Sequence, residues 1–154
     1  MPQHWLMKSE PDEFSIDDLE RRGSEPWTGV RNYQARNFMR TMRAGDRVLF
    51  YHSSCAEPGI AGLARIGGTA YPDPTQFDPK SPYYDARSPR DAPRWLCIDV
   101  QRQRRFARVV PLRLIKQRAE RFAGLTLLRP GNRLSVFPVS AAHYQALLKL
   151  EDCA

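Results

Sequence analysis

The chain contains little lysine and no long apolar segment. Only four of its 24 basic residues are lysine, and its longest runs of apolar residues are four residues long. A segment that crosses a bilayer needs roughly 20 apolar residues. The N-terminus lacks the basic start and the apolar middle of a secretory signal. We therefore expect a cytoplasmic protein with no membrane partner.

Cysteine is also scarce, and the common sequence motifs of cofactor sites are missing. Cys55, Cys97 and Cys153 are widely spaced and form no CxxC pair. This odd, separated set argues against a disulfide framework and against a structural zinc site. The GxGxxG, GxxxxGK[ST] and HExxH patterns do not occur, so no local motif supports a nucleotide site or a zinc-protease site. We expect neither a metal nor a cofactor.

Positive charge is abundant but unevenly distributed along the chain. The net charge is +7, yet residues 1–30 carry a net −4 and residues 31–154 a net +11. Arginine supplies 20 of the 24 basic side chains. Its planar fork pairs with phosphate and stacks on bases, which favours a nucleic-acid partner. A GC-rich genome would also enrich arginine, and many of these residues would then be part of an ordinary solvated surface.

Local signals predict one α+β domain that covers residues 1–154. Ser15 followed by Asp18 has the pattern of a capping box. Residues 72–93 hold six of the 13 prolines, which predicts a long ordered loop or a mobile arm. Short links between strands favour a small barrel flanked by helices over a doubly wound parallel sheet. The predicted strands are residues 4–8, 47–52, 59–66, 94–101 and 133–139, and the predicted helices begin after Ser15, near Asn32, around Leu112 and after Ser140.

Two groups of residues are candidates for catalysis or metal binding, and each also has a structural explanation. Residues 52–55 (His-Ser-Ser-Cys) bring an imidazole, two hydroxyls and a thiol together, but no carboxylate is placed to orient His52. We favour a polar turn at the end of a strand as the explanation of these residues. Carboxylates can bind a metal, but in a first helical turn they also complement the helix dipole. The acidic group consists of Asp12, Glu13, Asp17, Asp18 and Glu20.

Residues 27–33 (WTGVRNY) favour recognition of a planar ligand. The faces of Trp27 and Tyr33 can hold a ring by stacking, and the Asn32 amide can match the edge of a base. A helix N-terminus beside them would favour phosphate. The structural alternative is that Trp27 fills the core and Asn32 only caps a helix.

Five segments of the chain form a recognisable set: residues 5–11 (WLMKSEP), 27–35 (WTGVRNYQA), 48–53 (VLFYHS), 93–95 (PRW) and 131–136 (GNRLSV). Together they resemble the EVE domain family, and the resemblance extends from end to end. That family has a PUA-like fold and is related to the YTH domains, which recognise methylated adenine in RNA. The resemblance implies a small, mostly antiparallel β-barrel flanked by helices, with a pocket for a modified base of DNA or RNA, and it does not imply catalysis.

The more distant YTH pattern can be followed onto single residues of this chain. Lys8 and Ser9 match its opening Lys-Ser, Trp27 matches a tryptophan of its aromatic cage, and Asn32 matches the asparagine that follows. The other cage tryptophans have no equivalent, so modified cytosine is as compatible with the resemblance as methylated adenine. The candidates to complete the aromatic wall are Tyr71, Phe77, Tyr83 and Tyr84.

These observations combine into one hypothesis, in which a modified base leaves its stack and enters an aromatic pocket while arginines hold the backbone. A single strand or a flipped base would cost least to unstack. Two alternatives stay open: a pocket for a small anionic or nucleotide-like metabolite, and an enzyme that acts on a modified base through His52 or Cys55. The predicted base pocket contains Lys8, Ser9, Trp27, Asn32, Tyr33, His52, Ser53 and Tyr84. The predicted phosphate contacts are Arg31, Arg36, Arg40, Arg94 and Arg133.

Overall fold

A six-stranded sheet, curled into a half-barrel, organises residues 1–154, all of which the computed structural model describes. The strand order is β2-β7-β4-β3-β1-β8, and β5 and β6 pair separately. Among neighbours in the large sheet, only β1 and β3 run parallel. The α+β class and the mostly antiparallel sheet are therefore confirmed. The strands are β1 (His4–Ser9), β2 (Ser24–Pro26), β3 (Arg47–His52), β4 (Gly59–Ile66), β5 (Tyr71–Pro72), β6 (Leu96–Cys97), β7 (Asp99–Pro111) and β8 (Val136–Pro138).

Four α-helices flank the sheet, and three of them begin at side-chain caps. The side chain of Ser15 accepts a hydrogen bond from the backbone of Asp18, and the Asp18 carboxylate accepts one in return, which completes the capping box. The side chains of Asn32 and Ser140 each accept a hydrogen bond from one backbone amide of the helix that they cap. None of the helices is both long and apolar enough to span a membrane. The helices are α1 (Ile16–Arg22), α2 (Tyr33–Thr41), α3 (Leu112–Gln117) and α4 (Ala141–Leu150).

The core lies on both faces of the sheet because alternate residues of a strand point to opposite sides. In β1, Met7 packs on the side of α1 and α2, whereas Leu6 packs on the side of α3 and α4. The first side contains Trp27 and Phe50. The cavity described below lies on this side and opens where β1 and β3 end.

Two strand predictions need correction, and the short strands β2 and β5 were missed. The strand predicted over 94–101 is the short β6 followed by β7, which continues to Pro111. Between Gln101 and Val109 only Phe106 is buried, so the apolar alternation that identifies a strand is absent there. The strand predicted over 133–139 is reduced to β8.

The proline-rich segment between β5 and β6 is a long ordered loop, as one of the two predictions stated. A 3-10 helix, Pro74–Phe77, opens it. The buried Gln76 side chain donates to the carbonyls of Asp73 and Trp95 and accepts from the Trp95 amide and the Ser88 hydroxyl. Buried polar side chains and short backbone turns therefore hold this loop, which we call the proline-rich arm (residues 73–95).

Candidate functional site

The candidate site is a cavity of about 540 Å³ at the carboxyl ends of β1 and β3. These strands are parallel, so Ser9 and His52 pair at the same edge of the sheet. The loops that follow both strands form one wall, and the proline-rich arm reaches the opposite wall. The cavity is lined by aromatic residues (Phe14, Trp27, Tyr83), by hydroxyl-bearing residues (Ser9, Thr28, Ser53, Ser54, Ser135) and by charged residues (Lys8, Glu10, Glu13, Glu25, Arg31, Arg133).

Trp27 belongs both to the cavity wall and to the core. It is only 7 % exposed and packs edge-on against Phe50, with ring centroids 5.4 Å apart, and against Phe14 at 6.3 Å. Its amide donates to the Ile98 carbonyl. The structural explanation and the functional prediction therefore both apply to this residue.

Tyr83 is the aromatic residue of the proline-rich arm that reaches the cavity. Its hydroxyl donates to Glu13 Oε2 at 3.1 Å, and burial, followed by this hydrogen bond, raises its pKa. Its ring lies against Gly29, where a Cβ atom would come within 2.8 Å of the ring. Gly29 has φ +84°, so both its conformation and its neighbour exclude a side chain.

Arg31 fastens the proline-rich arm to the cavity wall. Its guanidinium pairs with Asp73 at 3.0 Å, donates to the Tyr83 carbonyl at 2.7 and 3.0 Å, and donates to the Thr75 hydroxyl. The fully buried Asp73 also accepts from the Gly29 amide at 2.8 Å. One ion pair thus sets both the turn at Gly29 and the position of Tyr83.

Lys8 and Ser9, at the end of β1, both border the cavity, but only the Ser9 side chain lies on the cavity side of the sheet. The predicted contribution of the Lys8 ammonium needs correction, because this side chain follows the alternation of Leu6 and lies on the opposite side. Lys8 forms none of the chain's ion pairs. Its ammonium lies 5.8 Å from the ring centroids of both Tyr51 and Phe137, and burial lowers its pKa. The Ser9 hydroxyl donates to the Phe14 carbonyl at 2.6 Å. Ser54 has φ +54°, the only positive φ outside glycine, and it also lines the cavity.

Four of the predicted base-pocket residues do not line this cavity. The exposed Asn32 uses its side-chain oxygen to cap α2, accepting from the Ala35 amide. Tyr33 is 51 % exposed and stacks on Trp95 at 4.7 Å. Tyr84, next to Tyr83 in sequence, is 44 % exposed.

His52 is the fourth of these residues, and its position also bears on the nucleophile hypothesis. Its Nε2 accepts a hydrogen bond from the Ile16 amide at 3.1 Å, at the start of α1. Burial lowers its pKa, opposed by the nearby Asp17. The lone pair that a general base would use is therefore already engaged in the fold.

The predicted phosphate contacts fall into two groups. Arg133 lines the cavity, and Arg40 is exposed on α2. Arg31 holds the proline-rich arm, as described above. Arg36 donates to the Arg94 carbonyl, and Arg94 lies 3.7 Å from Asp85. The last three are thus partly engaged within the protein.

The predicted acidic group is dispersed among structural contacts. Asp17 pairs with Arg105 at 2.6 Å, and Glu20 lies 3.9 Å from Arg102. Asp18 completes the capping box and pairs with Arg21. No set of three or more His, Cys, Asp or Glu side chains comes close enough together to hold a metal ion. The acidic residues of α1 instead neutralise part of the arginine-rich β7.

Sequence reasoning missed several cavity residues, among them Gly29, Glu13, Glu25 and Ser135. Tyr83 was one of four aromatic candidates, but Tyr84 was placed in the pocket instead. Adjacent residues usually face opposite sides of an extended chain, so the choice required a partner for one of them. That partner is Glu13, 70 positions away, which no local pattern reveals.

Comparison with known proteins identifies close relatives along nearly the whole chain. Residues 3–150 match the EVE domain. The chain is 43 % identical to human thymocyte nuclear protein 1, over 99 % of this chain and 75 % of that protein. A crystal structure of a Pseudomonas syringae protein has a TM-score of 0.93 at 53 % identity, covering 96 % of this chain and 99 % of that one. The crystal structure of human THYN1 in complex with DNA containing 5-methylcytosine also has a TM-score of 0.93, at 42 % identity, covering 97 % of this chain and 98 % of that one.

Proposed function

Because this chain belongs to the EVE domain family, we propose that it binds DNA and reads a modified cytosine, held in the cavity beyond β1 and β3. The complex of human THYN1 with DNA containing 5-methylcytosine carries this proposal, since that protein shares the fold at a TM-score of 0.93. The cavity described above supplies the chemistry that such a function needs.

The size and lining of the cavity suit one nucleotide. Its volume of about 540 Å³ falls within the usual range for small-ligand sites, roughly 300–1,000 Å³. Trp27 and Tyr83 offer aromatic surface, and the serine hydroxyls can donate to or accept from a base edge. Unstacking a base costs a few kcal/mol, and stacking on an aromatic side chain returns about 1–3 kcal/mol. Hydrogen bonds to the base edge then select a cytosine, and apolar contact with the 5-methyl group supplies the preference for the modified form.

Arg133 is the best placed of the predicted phosphate contacts. It lines the cavity, is exposed, and forms none of the chain's ion pairs. Its guanidinium is therefore free to bind a phosphate group of the DNA backbone beside an inserted nucleotide. Arg40 remains a candidate for a more distant phosphate. Arg31, Arg36 and Arg94 already form hydrogen bonds or ion pairs within the chain, so we assign them to positioning the cavity wall.

The adjacent tyrosines of the proline-rich arm allow a matched test. We expect Tyr83→Ala to weaken binding of a single-stranded oligonucleotide with one central 5-methylcytosine by about five- to a hundredfold, the range of one base stack. Tyr84→Ala should leave it unchanged, because Tyr84 lies outside the cavity. Fluorescence anisotropy at fixed salt measures both. Equal effects of the two substitutions would contradict the assignment of the cavity.

A competition experiment separates this proposal from the metabolite alternative. Only a polymer gains from phosphate contacts spread over the surface, so an oligonucleotide should compete far better than the corresponding free nucleotide. Equal competition would favour a small-molecule site. Mass spectrometry of the recovered oligonucleotide tests the enzyme alternative, and a changed base would refute a purely binding role.

A further inference from the structure

A site that reads 5-methylcytosine has to reject thymine, which carries the same methyl group on nearly the same ring. The two bases differ at the adjoining edge, where cytosine presents an amino donor at N4 and thymine an acceptor oxygen at O4. Aromatic stacking and a methyl-sized space accept both bases. A hydrogen-bond acceptor beside the stacked ring, facing this position, would therefore discriminate between them.

Three carboxylates line the cavity, and their partners distinguish them. Glu25 is paired with Arg22 at 2.7 Å. Glu10 and Glu13 are both exposed, and no side chain donates a hydrogen bond to Glu10. The Tyr83 hydroxyl donates to Glu13 Oε2 at 3.1 Å, while Glu13 Oε1 accepts no hydrogen bond within the chain. Among the three carboxylates, Glu13 alone combines a hydrogen bond that orients it toward the aromatic wall with an oxygen left free to accept another.

The link to Tyr83 also determines where this acceptor lies. A tyrosine hydroxyl extends from the rim of its ring, so the Glu13 carboxylate is at the rim of the aromatic wall. A base stacked on Tyr83 would place its edge, rather than its face, toward this carboxylate. The short backbone turn in which the Glu13 amide donates to the Glu10 carbonyl at 2.9 Å keeps the segment in place.

We infer that Glu13 is the specificity residue of the cavity, accepting a hydrogen bond from the N4 amino group of the modified cytosine and repelling the O4 oxygen of thymine. This inference rests on the proposed function. Tyr83 has two roles in it: its ring stacks on the base, and its hydroxyl aims the carboxylate. Through Tyr83, the proline-rich arm therefore contributes both to stacking on the base and to discrimination between cytosine and thymine.

The test compares single-stranded oligonucleotides that differ only at one central position, which holds 5-methylcytosine, cytosine or thymine. Single strands remove any difference in base pairing. The proteins are the unaltered chain, Glu13→Gln, Tyr83→Phe and the control Asp12→Asn, an exposed neighbour that does not line the cavity. Anisotropy gives the affinities, and thermal unfolding confirms that each variant is folded.

We expect Glu13→Gln to reduce the ratio of 5-methylcytosine affinity to thymine affinity by about tenfold or more, the scale of one good base-edge contact. A glutamine amide can turn its NH₂ group toward O4, so thymine binding should improve. Tyr83→Phe should lower the ratio less, because the ring and the Glu13 carboxylate both remain and only the hydrogen bond between Tyr83 and Glu13 is lost. Asp12→Asn should leave the ratio unchanged.

Two results would overturn the inference, and they differ in what else they refute. A Glu13→Gln ratio within twofold of the unaltered chain, with the preference for 5-methylcytosine over cytosine intact, would refute the role of Glu13 alone. No preference of the unaltered chain for 5-methylcytosine over cytosine would refute the proposed function as well.

Discussion

At the scale of single residues, Trp27 shows how one side chain serves the fold and the cavity together. Because it is 7 % exposed and packs on Phe14 and Phe50, Trp27→Ala should lower the free energy of unfolding by about 3–5 kcal/mol. Urea denaturation measures this loss. A loss below about 1 kcal/mol would contradict its place in the core. Reduced binding by this variant would therefore not by itself identify a base contact.

His52 predicts a pH dependence of stability. Its Nε2 must be unprotonated to accept from the Ile16 amide, and burial lowers its pKa. The unfolded chain, with an ordinary histidine pKa of about 6.5, then binds more protons in mild acid. Stability is fully present above that pH and falls as the pH drops toward the folded-state pKa.

The check is a series of urea titrations between about pH 7.5 and pH 5. His52→Gln keeps an acceptor without the titration, so its stability should decline less steeply with falling pH. His4, whose pKa burial also lowers, accounts for part of the remaining slope. An unchanged slope in His52→Gln would show that the imidazole does not carry this dependence.

At the scale of elements, the proline-rich arm is joined to the cavity wall by one ion pair, between Arg31 and the buried Asp73. Asp73→Ala would leave the Arg31 guanidinium without its carboxylate partner and the Gly29 amide without an acceptor. Breaking a buried pair by removing one partner costs about 3–5 kcal/mol. We expect this variant to become sensitive to limited proteolysis within residues 73–95 and to lose the preference for a modified base. Asp91→Ala, which removes an exposed aspartate of the same arm that makes no side-chain hydrogen bond or ion pair, is the control and should resist proteolysis as the unaltered chain does.

At the scale of the whole molecule, much of the arginine excess is neutralised within the protein. Eight arginines lie within 4 Å of a carboxylate, three of them on β7. Arg102 and Arg105 meet α1, and Arg104 binds Glu151 through two contacts. The acidic N-terminal region and the basic remainder therefore attract each other in the fold. A phosphate backbone meets only the arginines left over, with Arg133 beside the cavity.

Salt dependence tests this division of the arginines. Binding to DNA should weaken steeply between 50 and 200 mM salt, since phosphate contacts release counterions. Arg133→Ala should reduce the slope of log affinity against log salt by about one, and Arg105→Ala, which loses a pair with Asp17, should not. Equal slopes for all three proteins would remove Arg133 from the backbone contacts.

The sequence by itself determined the local elements, because their signals involve residues close together in the chain. The capping box at Ser15, a helix start near Asn32 and the strands β3 and β4 were predicted, and an ordered loop was one of two predictions for the proline-rich segment. The five EVE-like segments indicated the family, and the α+β class followed from the order of the elements. β7 was only partly predicted, because its arginines pair with α1 and leave no alternating apolar pattern.

Only the tertiary structure decided the composition of the cavity. Glu13 meets Tyr83 across 70 positions, and Arg31 meets Asp73 across 42. Such contacts depend on how β1 and β3 end at one edge and on where the arm returns, and neither is encoded in a local pattern. For the same reason Asn32 and Tyr84, both plausible in sequence, lie outside the cavity: one is used by a helix end and the other faces away. Side-chain chemistry sets what a residue can bind, and long-range packing sets which residues share a site.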